Sequence, residues 1–159
     1  MVGDTDNVLL QPLGPFDLAV AAALHAGCFA SAWNETAMAE LLAMPGSFGI
    51  IARIGEQPVG LVVALAVGTE AEILTLGVLP TFRRRGIARR LLAAVADRLT
   101  GAGCRRLLLE VAEDNLVARA LYGALGFAEI GHRPSYYQRS PGTAAAAIVL
   151  ARALDRQED

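Results

Sequence analysis

Five arginine residues surround a single glycine in the segment LGVLPTFRRRGIARRLL, which runs from Leu76 to Leu92. The segment reads as the end of a strand, a proline, an arginine-rich loop, Gly86 and the start of a helix. A helix N-terminus presents N–H groups without intrahelical partners and the positive end of the helix dipole, which together hold anions. Arginine adds charge-assisted hydrogen bonds, and glycine lets the backbone approach a phosphate closely. The spacing therefore predicts a pyrophosphate cradle.

Two other interpretations of this cluster stay open. Arg89 and Arg90 fit the solvated face of an amphipathic helix. A nucleic-acid surface is the second alternative, but the chain has a formal net charge of -2 and no second basic run, so we expect no nucleic-acid partner. All 14 basic residues are arginine. The lack of lysine excludes a Walker phosphate loop and a pyridoxal-phosphate Schiff base, because both require an ε-amine.

Acid–base chemistry has two candidates. Glu110 ends the apolar run of CRRLLLEVA, where alternation predicts that it shares a strand face with Arg106 and Leu108. That carboxylate is suited to act as a general base, or it is an ordinary solvent-facing strand-end glutamate. Tyr122 lies in DNLVARALYGALG, and a phenol with an ordinary pKa of about 10 can act as a proton donor. Packing is its alternative role, and Asn115 before it is a helix cap, a ligand contact or both.

Other constellations predict no chemistry. His25 and Cys28 are three residues apart on a probable helix face, but no third orienting group is visible, so packing is favoured. Neither His25 nor His132 has companions at metal-ligand spacing, so we expect no metal.

The elements that must position these residues follow from periodicity. Strands are predicted in DNVLLQPL, in the hairpin FGIIARIGEQPVGLVVALAV, and in AEILTLGVLP, CRRLLLEVA, FAEIGHR and TAAAAIVLARAL. Helices are predicted from Pro15 or Phe16 to about Phe29, in NETAMAELLAMPG, from Gly86 to Gly101 and after Asn115. The apolar face of the third helix carries Ile87, Leu91, Leu92, Val95 and Leu99. Residues 1–159 are therefore expected to form a single mixed α/β domain around one sheet.

The bulk composition points to the cytoplasm. The apolar run from Val59 to Val67 is far shorter than the roughly 20 residues that span a bilayer, so we expect no membrane association. The N-terminal segment is acidic, unlike a secretory signal, and two cysteine residues fit a reducing compartment.

Two segments resemble a known superfamily. Arg83-Arg84-Arg85-Gly86-Ile87-Ala88 is similar to motif A of the GNAT N-acetyltransferases, whose signature is (Q/R)-x-x-G-x-(G/A). The block LLLEVAEDNLVARALYGALGF resembles motif B, with its N-x-x-A-x-x-L-Y-x-x-x-G-F pattern. Within the superfamily, AWNETAM, the LEV strand and the R-x-x-Y-Y segment most resemble the bacterial ribosomal-protein-alanine N-acetyltransferases of the RimI type.

The resemblance implies a fold and a cofactor. It implies a twisted, mostly antiparallel seven-stranded sheet with splayed central strands and about four helices. Acetyl-CoA would be the co-substrate, with no metal, and Glu110 and Tyr122 would be the base and the acid. The implied cofactor contacts are Leu76, Val78, Arg83, Arg84, Arg85, Gly86, Ile87, Ala88, Asn115 and Tyr122.

The resemblance also implies a protein acceptor. Trp33, Glu35, Tyr136 and Tyr137 match the acceptor-side segments, and the acceptor would be the N-terminal alanine of a small-subunit ribosomal protein. Packing of the two tyrosines and a dipole-complementing role for Glu35 are the alternatives. An enzyme of the same superfamily that acetylates a small amine is the competing interpretation. A non-enzymatic module that binds nucleic acid or an acidic partner is the remote alternative. We expect a monomer or weak dimer.

Overall fold

A computed structural model describes residues 7–140 and 143–154, with the backbone alone for residues 135–140 and 143–145. Seven strands form one sheet in the order β1-β2-β3-β4-β5-β7-β6, and all neighbours are antiparallel except β4 and β5. The strands are β1 Val8–Pro12, β2 Ser47–Ile54, β3 Gln57–Val67, β4 Glu70–Val78, β5 Arg106–Ala112, β6 Ala128–Ser140 and β7 Thr143–Ala153. The helices are α1 Leu18–Cys28, α2 Glu35–Leu42, α3 Ile87–Gly101 and α4 Leu116–Ala124.

Helices cover both faces of the sheet. The larger cluster of buried side chains lies between the sheet and α3 and includes Ile50, Val62 and Leu107. The smaller cluster lies between the sheet and α1 and α2, and it includes Leu24 and Met38. Because alternate residues of β2 and β3 enter different clusters, both strands are apolar along nearly their whole length.

Helix α3 confirms the predicted amphipathic face. Ile87, Leu91, Leu92, Val95 and Leu99 are all buried in the larger cluster, while Arg89 and Arg90 are exposed. Arg98 on the polar side places its guanidinium carbon 4.0 Å from the ring centroid of Phe48, a cation–π contact that ties the helix to β2.

The two central strands part after a short stretch of pairing. The parallel register of β4 and β5 joins Glu70↔Arg106, Ala71↔Leu107 and Glu72↔Leu108, whereas β4 continues to Val78 and β5 to Ala112. The β3–β4 register shifts at the same level, from Val63↔Thr75 to Ala64↔Ile73, which leaves Leu74 as an extra residue. Such a bulge bends and twists its strand. The bulge therefore accounts for the departure of β4 from β5, and the expected splayed sheet is confirmed.

Two boundaries differ from the sequence-based expectation. A 3-10 turn over Pro15–Asp17 precedes α1, which begins at Leu18. Strand β6 runs to Ser140, well past the predicted FAEIGHR. The sequence did not predict this extension, because an irregularity between Arg133 and Tyr137 breaks the alternation that marks a strand. Among the described residues, no helix is long and apolar enough to span a bilayer.

Candidate active site

The end of β4 turns its backbone polar groups toward the gap. The N–H of Leu79 donates to the carbonyl of Val59 over 2.9 Å, so these two residues form a hydrogen-bonded antiparallel pair. Hydrogen-bonded and non-hydrogen-bonded pairs alternate along such a ladder, and Val78↔Gly60 and Leu76↔Val62 are the non-hydrogen-bonded ones. The N–H and C=O groups of Leu76 and Val78 therefore point away from β3 and into the space that β5 has left.

The arginine-rich loop after β4 holds an unusual backbone. Gly86 caps α3 with φ of 79°, and Arg84 has φ of 64°, the single positive value among the described non-glycine residues. The left-handed conformation costs a non-glycine residue about 1–2 kcal/mol. It also turns successive backbone N–H groups toward the same side, where they form an anion-binding concavity. Hydrogen bonding within the helix starts with Arg90 N–H to the Gly86 carbonyl, at 3.1 Å. The N–H groups of Ile87 and Ala88 precede it and remain available to an anion.

Two loop arginines also have contacts within the protein. The Nε atom of Arg83 donates to the carbonyl of Val78 over 2.9 Å, which ties the loop to the end of β4. Arg85 lies over the ring of Phe82, 5.4 Å from its centroid. Arg84 and Arg85 are exposed around Gly86. The loop that follows β4 therefore presents positive charge and oriented N–H groups, an arrangement that suits a phosphate-bearing ligand.

Glu110 lies on one face of the sheet beside the gap. Its side chain is 17% exposed, and its Oε1 is 3.2 Å from Nη1 of Arg133 on β6. Leu107, Leu109 and Val111 enter the larger cluster, so Glu110 faces the opposite side, which α1 and α2 cover. Glu72 shares this side. The pKa of the Glu72 carboxyl is raised, first by burial and then by the neighbouring Glu110 carboxylate, while Arg133 opposes the rise.

Tyr122 lies on the other face of the sheet. Its ring packs on the larger cluster and meets Phe127 edge-on, with ring centroids 5.8 Å apart. Asn115 caps α4, since its Oδ1 accepts from the N–H of Ala118 over 3.2 Å. Glu110 and Tyr122 therefore lie on opposite faces of the sheet.

The acceptor-side residues fall into separate environments. Trp33 is half-buried and stacks on His25, with ring centroids 4.5 Å apart. Glu35 is the exposed first residue of α2, and it lines an open groove of about 390 Å³ with Phe16 and Thr36. No residue of β4, β5 or α4 borders that groove. The backbone of Tyr136 and Tyr137 belongs to β6, and their side chains lie outside the described part.

Sequence reasoning did not select Glu72 or recognise the partners of His25. Glu72 becomes notable only through the β4–β5 register, which sets it beside Leu108 and two residues from the level of Glu110. His25 is buried as predicted, but its hydrogen bonds run to Thr75 and Trp33 rather than to Cys28. Within the described residues, no three His, Cys, Asp or Glu side chains are grouped to hold a metal ion.

The family model "Acetyltransferase (GNAT) family" matches residues 18–127, which include both strands of the gap, the arginine-rich loop and α4. The chain belongs to this family. The resemblance drawn from the sequence is thereby confirmed, and so are the fold and the enzyme class, an acetyl-CoA-dependent N-acetyltransferase.

Individual relatives share most of the chain. The N-alpha-acetyltransferase RimI of Mycobacterium tuberculosis is 36% identical over 88% of this chain and 90% of its own length. An uncharacterized protein of Mycobacterium leprae is 33% identical over 96% of this chain. The match spans only 42% of the length of that second relative.

Solved structures have the same fold. The ribosomal-protein-S18-alanine N-acetyltransferase of Escherichia coli is 27% identical with a TM-score of 0.87, covering 96% of this chain and 97% of that chain. NAA60 of Arabidopsis thaliana in complex with acetyl-CoA is 23% identical with a TM-score of 0.80, covering 92% of this chain and 98% of that chain.

Proposed function

We propose that this protein acetylates the N-terminal α-amine of a protein, and that the first candidate acceptor is the N-terminal alanine of ribosomal protein S18. The observation that carries the proposal is the gap between β4 and β5, with Glu110 on one face and Tyr122 on the other. The α-amine as acceptor group is supported by the name of the Mycobacterium tuberculosis relative, an N-alpha-acetyltransferase, and the alanine acceptor by the name of the Escherichia coli enzyme, a ribosomal-protein-S18-alanine N-acetyltransferase.

The cofactor would lie along β4 and the loop that follows it. Backbone groups of Leu76 and Val78 offer hydrogen bonds to a peptide-like arm, as a missing neighbouring strand would. The N–H groups of the segment from Arg84 to Ala88 and the start of the α3 dipole suit a pyrophosphate, while the arginines, including Arg83, add attraction. Asn115 and Tyr122 approach from α4. When bound, acetyl-CoA supplies the activated acetyl thioester.

Two residues of the chain would carry out the proton transfers. The Glu110 carboxylate accepts a proton from the ammonium of the acceptor, so that the neutral amine can attack the thioester directly. The N–H of Val78, directed into the gap, donates a hydrogen bond to the acetyl oxygen as negative charge develops on it. The Tyr122 hydroxyl would donate its proton to the departing thiolate, and the second proton that the attacking nitrogen loses as it becomes an amide would restore the Tyr122 phenol. Trp33, Glu35, Tyr136 and Tyr137 are proposed to contact the acceptor.

A small amine is the second candidate acceptor, and one observation favours it. Glu72 and Glu110 lie close enough on the acceptor side for one carboxylate to raise the pKa of the other. Such a pair attracts cations, as a polyamine site would. Arg133 reduces this attraction by its 3.2 Å contact with Glu110.

A mass-spectrometric assay separates the two candidates. The acceptors are a peptide that begins with alanine and carries an internal lysine, and a panel of polyamines, amino acids and aminoglycosides. Acetylation of the peptide's terminal amine, with its lysine unmodified, supports the protein acceptor. Turnover of a small amine with no reaction on the peptide transfers the function to small-molecule acetylation. Stabilisation by an oligonucleotide but not by acetyl-CoA would overturn both.

A further inference from the structure

The two buried polar side chains of the described residues are bonded to each other. His25 on α1 is 3% exposed and Thr75 on β4 is 8% exposed. The imidazole Nε2 lies 3.1 Å from the Thr75 hydroxyl, although the two residues are 50 positions apart in the sequence. A buried polar pair must satisfy its own hydrogen bonds, so the contact holds α1 to β4 at one defined point.

The second ring nitrogen of His25 holds the loop between α1 and α2. The backbone N–H of Trp33 donates to Nδ1 over 3.0 Å. Because Nδ1 accepts, the proton of the neutral imidazole resides on Nε2, which therefore donates to Thr75. The rings of Phe29 and Trp33 both lie 4.5 Å from that of His25, and the Trp33 ring is nearly parallel at 15°. Both ends of the loop are thus fixed on one side chain.

This arrangement links the loop to the strand that borders the gap. Thr75 follows the bulged Leu74 and precedes Leu76, whose backbone faces the gap. Thr75 is directed toward α1, on the sheet face that also carries Glu72 and Glu110. The loop that His25 holds lies on this same face, because Trp33 packs against the smaller cluster, and an acceptor that reaches Glu110 from this face approaches on the side of that loop. A displacement of that loop would change the acceptor's side of the sheet, whereas the N–H groups of Ile87 and Ala88 lie beyond the end of β4.

We propose that His25 is a positioning residue for acceptor recognition: its neutral imidazole fixes the loop from Phe29 to Asn34 against β4 so that Trp33 forms one wall of the acceptor site. The inference rests on the proposed function, in that the acceptor enters from the α1–α2 face. His25 contacts none of the reacting groups and acts through Trp33 and Thr75.

The kinetic test uses four variants. Thr75→Val removes the Nε2 partner, and His25→Gln retains a donor for Thr75 but loses the Nδ1 acceptor. Both should raise KM for the acceptor by about tenfold, equivalent to about 1.4 kcal/mol, with kcat and the Kd for acetyl-CoA unchanged. Thr75→Ser keeps the hydroxyl and should behave as the wild type. Thr100→Val is the matched control, because it removes the 2.8 Å bond from the Thr100 hydroxyl to the Ala96 carbonyl on α3, remote from the loop.

A second readout needs no substrate. Trp33 is the only tryptophan in the chain, so its fluorescence reports on this loop alone. Thr75→Val and His25→Gln should shift its emission to longer wavelength and increase quenching by acrylamide, whereas Thr75→Ser and Thr100→Val should not. Unchanged emission in both test variants would overturn the fixed loop. A shifted emission with unchanged acceptor KM, or a parallel rise in the Kd for acetyl-CoA, would overturn the role in recognition.

These outcomes remain separate from failure of the proposed function. If the wild type acetylates small amines instead of the peptide, the acceptor KM is measured with that amine and the fluorescence test is unaltered. An unchanged KM for the amine then refutes the positioning role independently.

Discussion

Replacement of Gly86 by alanine should cost free energy through backbone strain alone, and the cost should appear in the stability of the fold, in acetyl-CoA binding, or in both. Gly86 has φ of 79°, and a Cβ built on it would meet no atom within 4 Å. The substitution therefore adds no clash, and its cost is the left-handed conformation, about 1–2 kcal/mol for an L-residue. Gly103 is the matched control at the far end of α3, with φ of 92° and the same open surroundings.

The strain can appear in either of two measurements. If the unliganded loop keeps its conformation, the free energy of unfolding falls by about 1–2 kcal/mol, or roughly 2–8 °C in Tm for a domain of this size. If the loop relaxes, stability is largely retained and binding must restore the strained conformation, which raises the Kd about five- to thirtyfold. The two losses together should sum to about 1–2 kcal/mol.

Calorimetric titration with acetyl-CoA and urea unfolding of the same samples measure both quantities. Gly103→Ala should lose stability with an unchanged Kd, because it lies away from the loop. Gly86→Asp should weaken binding beyond Gly86→Ala, since its carboxylate adds repulsion toward phosphate. An unaltered Kd in Gly86→Asp, or an equal loss of affinity in Gly103→Ala, would refute the location of the pyrophosphate at this loop.

Three further outcomes are expected. Glu110→Gln should lower kcat by about 10²–10⁴-fold with the Kd for acetyl-CoA unchanged, and undiminished turnover would exclude Glu110 as the base. Tyr122→Phe should lower kcat while Tm stays within about 2 °C, because the ring contact with Phe127 is retained; a wild-type kcat would exclude Tyr122 as the acid. Burial lowers the pKa of His25 from 6.5, so the unfolded chain binds this proton first as the pH falls. The contribution of the neutral His25 side chain to the free energy of unfolding should therefore be fully present above pH 6.5 and decline below it. His25→Gln should reduce this dependence of the unfolding free energy on pH, which urea titrations at several pH values measure.

Local patterns predicted the elements well, and they failed where tertiary register decides. The face of α3 follows from 3.6-residue spacing, and its start follows from the change of period at Gly86. The end of β6 was missed because two extra residues between Arg133 and Tyr137 break the alternation. Glu72 was missed for a related reason, since no local pattern indicates which residues of β4 and β5 lie side by side.

His25 shows the same limit at the level of a single side chain. Its burial was predicted from its apolar helix, but its partners lie 8 and 50 positions away, beyond the reach of helical spacing. Trp33 was selected for the acceptor side from its motif alone, and the sequence carried no signal that it stacks on His25.

The three-residue pairing of β4 with β5 divides the sheet into two hydrogen-bonded halves, β1–β4 and β5–β7. In amide hydrogen exchange, we expect each half to open as a cooperative unit. The pairing of Glu70 to Glu72 with β5 is the narrow hydrogen-bonded connection between the two halves. A ligand that bridges the gap would raise the free energy of such openings by RT ln(1 + L/Kd), where L is the free ligand concentration, which is about 2.7 kcal/mol when L is 100 Kd. Slower exchange should then appear across both halves, including amides of β1, which is three strands away from β4 in the sheet.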